Sequence, residues 1–209
     1  MVYLPMSMKG GGEPAKIGRP RGFDLDLALD RALHVFWRKG YEGTSLSDLT
    51  KAMRINRPSL YAAFGNKEAL FRKALDRYSE GPTAFYGDAL RAPTARAVAE
   101  RLLRGTVDLL TDRRTPRGCL MVQSALACGD EADSIRQELA SRRETGEAAL
   151  RRRFQRAKRE GDLPSNADPA ALARYITTVM HGMAVLGTGS ATRPQLLRVI
   201  EAALQAWPT

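Results

Sequence analysis

Arg57, Ser59, Tyr61 and Ala62 place a guanidinium, two hydroxyls and a methyl group on one short stretch of chain. Leu60 and Phe64, four residues apart, take the buried side of a helix, so these four side chains face away from it. An outward face of this kind, on the second helix of a helix-turn-helix, enters the major groove of DNA. Catalytic chemistry finds less support. The histidines His34 and His181 are far apart in sequence and fit no metal-ligand spacing, and neither an HExxH motif nor a zinc pattern occurs. Gly187-Thr188-Gly189 has the glycines of a phosphate loop, but no strand precedes it and no Lys-Ser/Thr follows, which reads as a turn between helices. The expectation is a protein that is not an enzyme and carries no cofactor.

The run from Thr44 to Leu70, TSLSDLTKAMRINRPSLYAAFGNKEAL, supplies the elements that must hold those side chains. A first helix starts at Thr44 or Ser45, either of which can accept from orphan backbone N–H groups, and Ser45 with Asp48 has capping-box spacing. Leu46, Leu49 and Met53 then share one face. Asn56 can cap a second helix, with Pro58 in its first turn, where a missing N–H loses no intrahelical bond. A third helix start follows directly.

This run resembles the DNA-binding domain of the TetR family of bacterial transcriptional regulators. Upstream, Leu29, Ala32, Leu33, Phe36 and Gly40-Tyr41 are similar to the family's first helix and its exit. Downstream, Leu60-Tyr61, Phe64 and Asn66-Lys67-Glu68 resemble the end of its recognition helix and the start of its fourth helix. Arg54 stands where the family usually has glycine in the turn, and a left-handed conformation costs a non-glycine residue on the order of 1 kcal/mol. Either the turn differs here, or the strain is tolerated while a cation is placed near the phosphates. The resemblance implies a role for each matching residue. Thr44 and Tyr61 offer hydroxyls to phosphate oxygens, and Lys67 lies at a helix N-terminus, where backbone N–H groups also favour an anion. Arg57 and Ser59 would read base edges, Arg57 through two donors to guanine, and Ala62 would meet a thymine methyl. The alternatives are solvated cations at Arg57 and Lys67, and an inward-packed ring at Tyr61.

Composition agrees with a nucleic-acid partner. The 209 residues are 44% hydrophobic and 27% charged, enough for one large or two small globular domains, and a net charge of +10 favours a polyanion. Between Lys51 and Lys73 the cations Lys51, Arg54, Arg57, Lys67, Arg72 and Lys73 face the single acid Glu68. Cys119 and Cys128 form no CxxC pair, Pro5 interrupts the few apolar residues of Met1 to Met8, and no apolar run is long enough for a membrane span, so a cytoplasmic protein is expected. Residues 1–22 read as a flexible basic arm. Its Arg19-Pro20-Arg21 suits a narrow minor groove, and an ordinary solvated leader reads equally well.

An all-α chain is expected throughout, with a helix-turn-helix domain over 23–70 and a helical body over 71–209. Within the body, helices read near 85–90, 94–111 and 119–128, then from Ile135 to near Gly161, from Asp168-Pro169 to Gly187, and from Leu196 to Trp207. Arg142, Arg143, Arg151, Arg152, Arg153, Arg156 and Arg159 crowd one side of the long helix. Glu138 to Arg142 and Glu147 to Arg151 are spaced for surface pairing, so a solvated face is expected there. Tyr175, Val179, Met183, Leu196, Ile200, Leu204 and Trp207 give the last two helices more apolar surface than one partner covers, which points to a homodimer on a double-stranded palindromic operator. The resemblance also implies a small-molecule effector, for which Phe85, Tyr86, Met121, Gln123, Met180, His181 and Met183 are the candidate pocket residues. Cys119, near Arg113, Arg114 and Arg117, is a candidate redox or electrophile sensor, against the reading that it is a small buried hydrophobe. An architectural DNA-binding protein without an effector is the remaining class.

Overall fold

The computed structural model describes residues 23–126 and 132–208. Arg19, Arg21, the rest of the expected arm and Cys128 lie outside the described residues. Among the described residues there are ten helices and no strand: α1 Leu25–Lys39, α2 Leu46–Met53, α3 Arg57–Phe64, α4 Lys67–Glu80, α5 Phe85–Leu90, α6 Ala95–Thr111, α7 Leu120–Leu126, α8 Asp133–Arg159, α9 Pro169–Leu186 and α10 Arg193–Gln205. None of the described helices is long and apolar enough to cross a membrane.

The head is built on α1 and α4. Ala28, Ala32, Leu33, Phe36 and Trp37 recur at helical spacing on α1 and bury against Leu70, Phe71, Ala74, Leu75 and Tyr78 of α4. Aromatic rings close the seam: Phe36 meets Phe71 edge-on with centroids 4.9 Å apart, and Trp37 meets Tyr78 at 4.7 Å. Leu49 and Met53 of α2 and Leu60 and Phe64 of α3 complete this core, so both short helices are anchored on α1 and α4.

The body has a second core in which α6 packs against α5, α9 and α10, with Val98, Leu102, Leu103 and Val107 buried along one side of α6. The two cores abut. Leu120 of α7 and Ile135 and Leu139 of α8 pack into the head's core, and the indole Nε1–H of Trp37 donates to the Gly118 carbonyl at 2.9 Å. Gly118 has φ +81°, a left-handed conformation that glycine adopts without strain and an L side chain rarely does, and a Cβ there would crowd the Thr188 methyl at 2.8 Å.

Three expectations about the elements are corrected. Trp207 lies beyond the end of α10 and buries its ring against Phe154, centroids 5.4 Å apart. Arg153 does not join a solvated face: it is buried and its guanidinium donates to the Ala92 and Pro93 carbonyls at 2.9 and 3.0 Å. Glu147 pairs with Arg174 of α9 at 2.8 Å instead of with Arg151. The expected Glu138–Arg142 pair does form, at 2.6 Å.

Candidate nucleic-acid interface

Local hydrogen bonds fix the α2-turn-α3 unit before tertiary packing adds to it. Ser45 Oγ accepts from the Asp48 N–H at 3.0 Å while Asp48 Oδ2 accepts from the Ser45 N–H at 3.1 Å, a complete capping box. Lys39 Nζ reaches Asp48 Oδ1 at 2.7 Å and ties the end of α1 to the start of α2. That ammonium, with the Ser45 donors, holds the Asp48 carboxyl well below the usual carboxylate range. Arg54 is the only non-glycine residue with positive φ among the described residues, at φ 58° and ψ 43°. The turn is therefore the ordinary left-handed one, made without glycine. Asn56 Oδ1 then accepts from the Ser59 N–H at 2.8 Å and starts α3.

This scaffold leaves Arg57, Tyr61 and Ala62 exposed and Ser59 half-buried on the outer side of α3, opposite the buried Leu60 and Phe64. Tyr61 is 47% exposed, which removes the reading that it packs inward. A shallow groove beside it is lined by Arg54, Asn56, Ser59 and Ala62. Lys67, the first residue of α4, is half-buried with Nζ 4.4 Å from the Tyr41 ring centroid, so it is no free solvated cation; burial lowers its pKa and Glu42 opposes the shift. Thr44 requires a correction. It is 1% exposed and its hydroxyl donates to the Gly40 carbonyl at 2.6 Å, so it braces the corner between α1 and α2 and shows no exposed hydroxyl to a phosphate.

A second feature lies in the body, where residues of α4 to α9 surround a cavity of about 480 Å3. Phe85, Tyr86, Met121, Met180 and His181 line it, as expected of pocket residues, and Cys119 joins them. Two expected members do not. Gln123 turns its amide to the Arg117 carbonyl at 3.0 Å, and Met183 is 1% exposed on another side of α9, within the core. Thr106 of α6, Arg142, Arg143, Thr145 and Glu147 of α8, and Thr177 of α9 line the cavity without having been expected there, the α8 members hidden in a run that reads as a solvated surface. Burial, then the Glu147 carboxylate, pushes the Tyr86 phenol up to about 12, so it stays protonated and donates to the Gly146 carbonyl at 2.9 Å. Burial and Arg143 lower the His181 pKa against the opposing effect of Glu147, which favours a neutral imidazole.

The arginines expected to activate Cys119 are engaged elsewhere or exposed. Arg114 binds Asp112 at 2.8 Å, Arg117 donates to the Gly189 carbonyl at 2.9 Å, and Arg113 is exposed. The sulfur instead accepts from the Tyr78 hydroxyl at 3.4 Å. The expected dimer stripe also divides. Met183, Leu196, Ile200, Leu204 and Trp207 are buried within their own chain, while Tyr175 and Val179 are partly open. Val185 and Leu186 of α9, 47% and 54% exposed, lie on the chain's surface.

A donor-bearing outer helix on a capped turn, carried by an all-helical body, defines a DNA-binding protein of the helix-turn-helix class. Residues 28–74 match the family described as "Bacterial regulatory proteins, tetR family", and residues 96–203 match "Tetracyclin repressor-like, C-terminal domain". The chain belongs to the TetR family of transcriptional regulators. It is 32% identical over 193 residues to the HTH-type transcriptional repressor ComR of Escherichia coli K12, covering 91% of this chain and 92% of that protein. A cysteine-substituted form of the TetR family transcriptional regulator CifR, complexed with 26 bp double-strand operator DNA, is 46% identical with a TM-score of 0.87, covering 91% of this chain and all of that one. A TetR regulator from Rhodococcus sp. RHA1 is 41% identical with a TM-score of 0.60, covering 87% of this chain and 97% of that one.

Proposed function

We propose that this protein is a cytoplasmic transcriptional repressor that binds a palindromic operator as a homodimer and releases it on binding a small molecule. The observation that carries the reading is the outer face of α3: Arg57, Tyr61 and Ala62 are exposed together on a helix whose start and turn are locally fixed. Arg57 and Ser59 take base edges, Ala62 a thymine methyl, and Tyr61, Lys67 and Arg54 the phosphates. The likeness to ComR, named a repressor, and to operator-bound CifR supports this assignment.

A second copy supplies the geometry for specific binding. The open apolar surface of α9, with Tyr175, Val185 and Leu186, suits a symmetric contact with the same surface of another chain. Two recognition helices about 34 Å apart then enter successive major grooves on one side of the duplex.

Release requires a ligand that prefers the state with the heads apart. The cavity suits such a ligand, and its wall is continuous with the head. Cys119 lines the cavity and accepts from Tyr78 of the head's core, and the adjacent Gly118 carbonyl accepts from Trp37. Displacement of this segment would be felt by α1 and α4 together.

Footprinting of the purified protein on the DNA flanking its own gene tests the proposal. Discrete protection of an inverted repeat is expected; uniform coating would assign an architectural role instead.

A further inference from the structure

The charges lining the cavity indicate what kind of effector it takes, an inference that rests on the effector-binding reading above. Three of the charged side chains on its wall belong to α8. Arg142 is held by Glu138 at 2.6 Å and Asp76 at 2.7 Å, and Glu147 is held by Arg174 at 2.8 Å. Arg143 is left as a half-buried cation with no ion pair among the described residues. His181 of α9 lines the same cavity, and burial and Arg143 lower its pKa against the opposing Glu147, which favours a neutral imidazole with one ring N–H to donate. The rest of the lining includes Phe85, Leu109, Met121 and Met180. A partly desolvated guanidinium and a neutral N–H donor lining one largely apolar cavity of about 480 Å3 match a ligand with a single anionic head and an apolar body.

We propose that the effector is an amphipathic monocarboxylate, aryl or medium-chain alkyl, whose carboxylate accepts from the Arg143 guanidinium and the His181 N–H while its body fills the apolar part of the cavity. Planar two-donor recognition of a carboxylate is the geometry a guanidinium provides and an ammonium does not. Binding also supplies Arg143 with the counter-charge the fold withholds. A neutral ligand of the same shape gains the apolar contacts alone.

The test pairs acids with alcohols of the same skeleton: octanoate against octanol, and 4-phenylbutyrate against 4-phenylbutanol. Calorimetry on the full-length protein measures affinity, and fluorescence anisotropy of a labelled operator duplex measures release. For the wild type each acid should bind about tenfold or more tightly than its alcohol. Arg143→Met should bring the acid down to the level of the alcohol, and Arg143→Lys should recover only part of the difference. Equal binding of acid and alcohol by the wild type, a difference that survives Arg143→Met, or no binding of any of the four probes would overturn the carboxylate assignment. The wild-type comparison does not depend on how any variant folds. Alcohols that bind and release DNA as well as the acids do would overturn the ligand class and leave effector control intact. Acids that bind through Arg143 but leave operator affinity unchanged would keep the ligand class and remove effector control.

Discussion

Arg57 is exposed on the outer side of α3 and forms no ion pair among the described residues, so its donors are available for a base edge. Arg57→Ala should cost roughly 1 to 3 kcal/mol of operator binding and relax the preference at one base pair, as measured by titration against single-base operator variants. Lys67→Ala should weaken operator and unrelated duplex alike if, as proposed, the cation over Tyr41 at the start of α4 takes a phosphate and no base. Equal losses on both duplexes for both variants would contradict this division. The outward set could be read from sequence because a 3.6-residue period assigns sides as soon as Leu60 and Phe64 are placed inside. Thr44 could not, because its partner is the backbone carbonyl of Gly40, a bond that leaves no mark on residue type. Arg143 was hidden for another reason: long-range packing decides which member of an arginine run turns inward, and the run itself reads as solvated surface.

Among the elements, the α2-α3 turn and the Gly118 junction carry measurable consequences. Arg54→Gly removes the left-handed strain and should raise unfolding stability by about 1 kcal/mol, seen as a higher melting temperature. The same variant should bind DNA with a shallower dependence on salt, by about one unit in the log–log slope if the guanidinium meets one phosphate. Trp37→Phe leaves the buried Gly118 carbonyl without its donor and should cost about 1 to 3 kcal/mol in chemical denaturation. It should also weaken the effect of any cavity ligand on operator affinity more than it weakens ligand binding itself. Helix starts at Ser45, Asn56 and Asp168 were legible because a capping side chain acts within three residues. The bond from Trp37 to Gly118 spans 81 positions, and nothing local announces it.

For the molecule as a whole, the open apolar surface of α9 is where a second copy is expected. Leu186→Glu places a charge at the most exposed of its large apolar positions. The variant should sediment as a monomer, keep its helical content, and lose most of its operator affinity. A stable dimer in that variant would place the contact elsewhere. Sequence periodicity located α9 and α10 but could not divide their residues between the chain's own core and the outside. Met183 and Ile200 repeat with the same spacing as residues that stay open, and only the path of α6 beneath them settles which are covered. Binding-site selection from random duplex DNA, on protein of known mass in solution, bears most directly on whether two α3 helices read DNA together. An enriched inverted repeat is expected, with half-site centres about one helical turn apart and two chains bound. Recovery of no preferred sequence, or of a lone half-site occupied by a single chain, would contradict it.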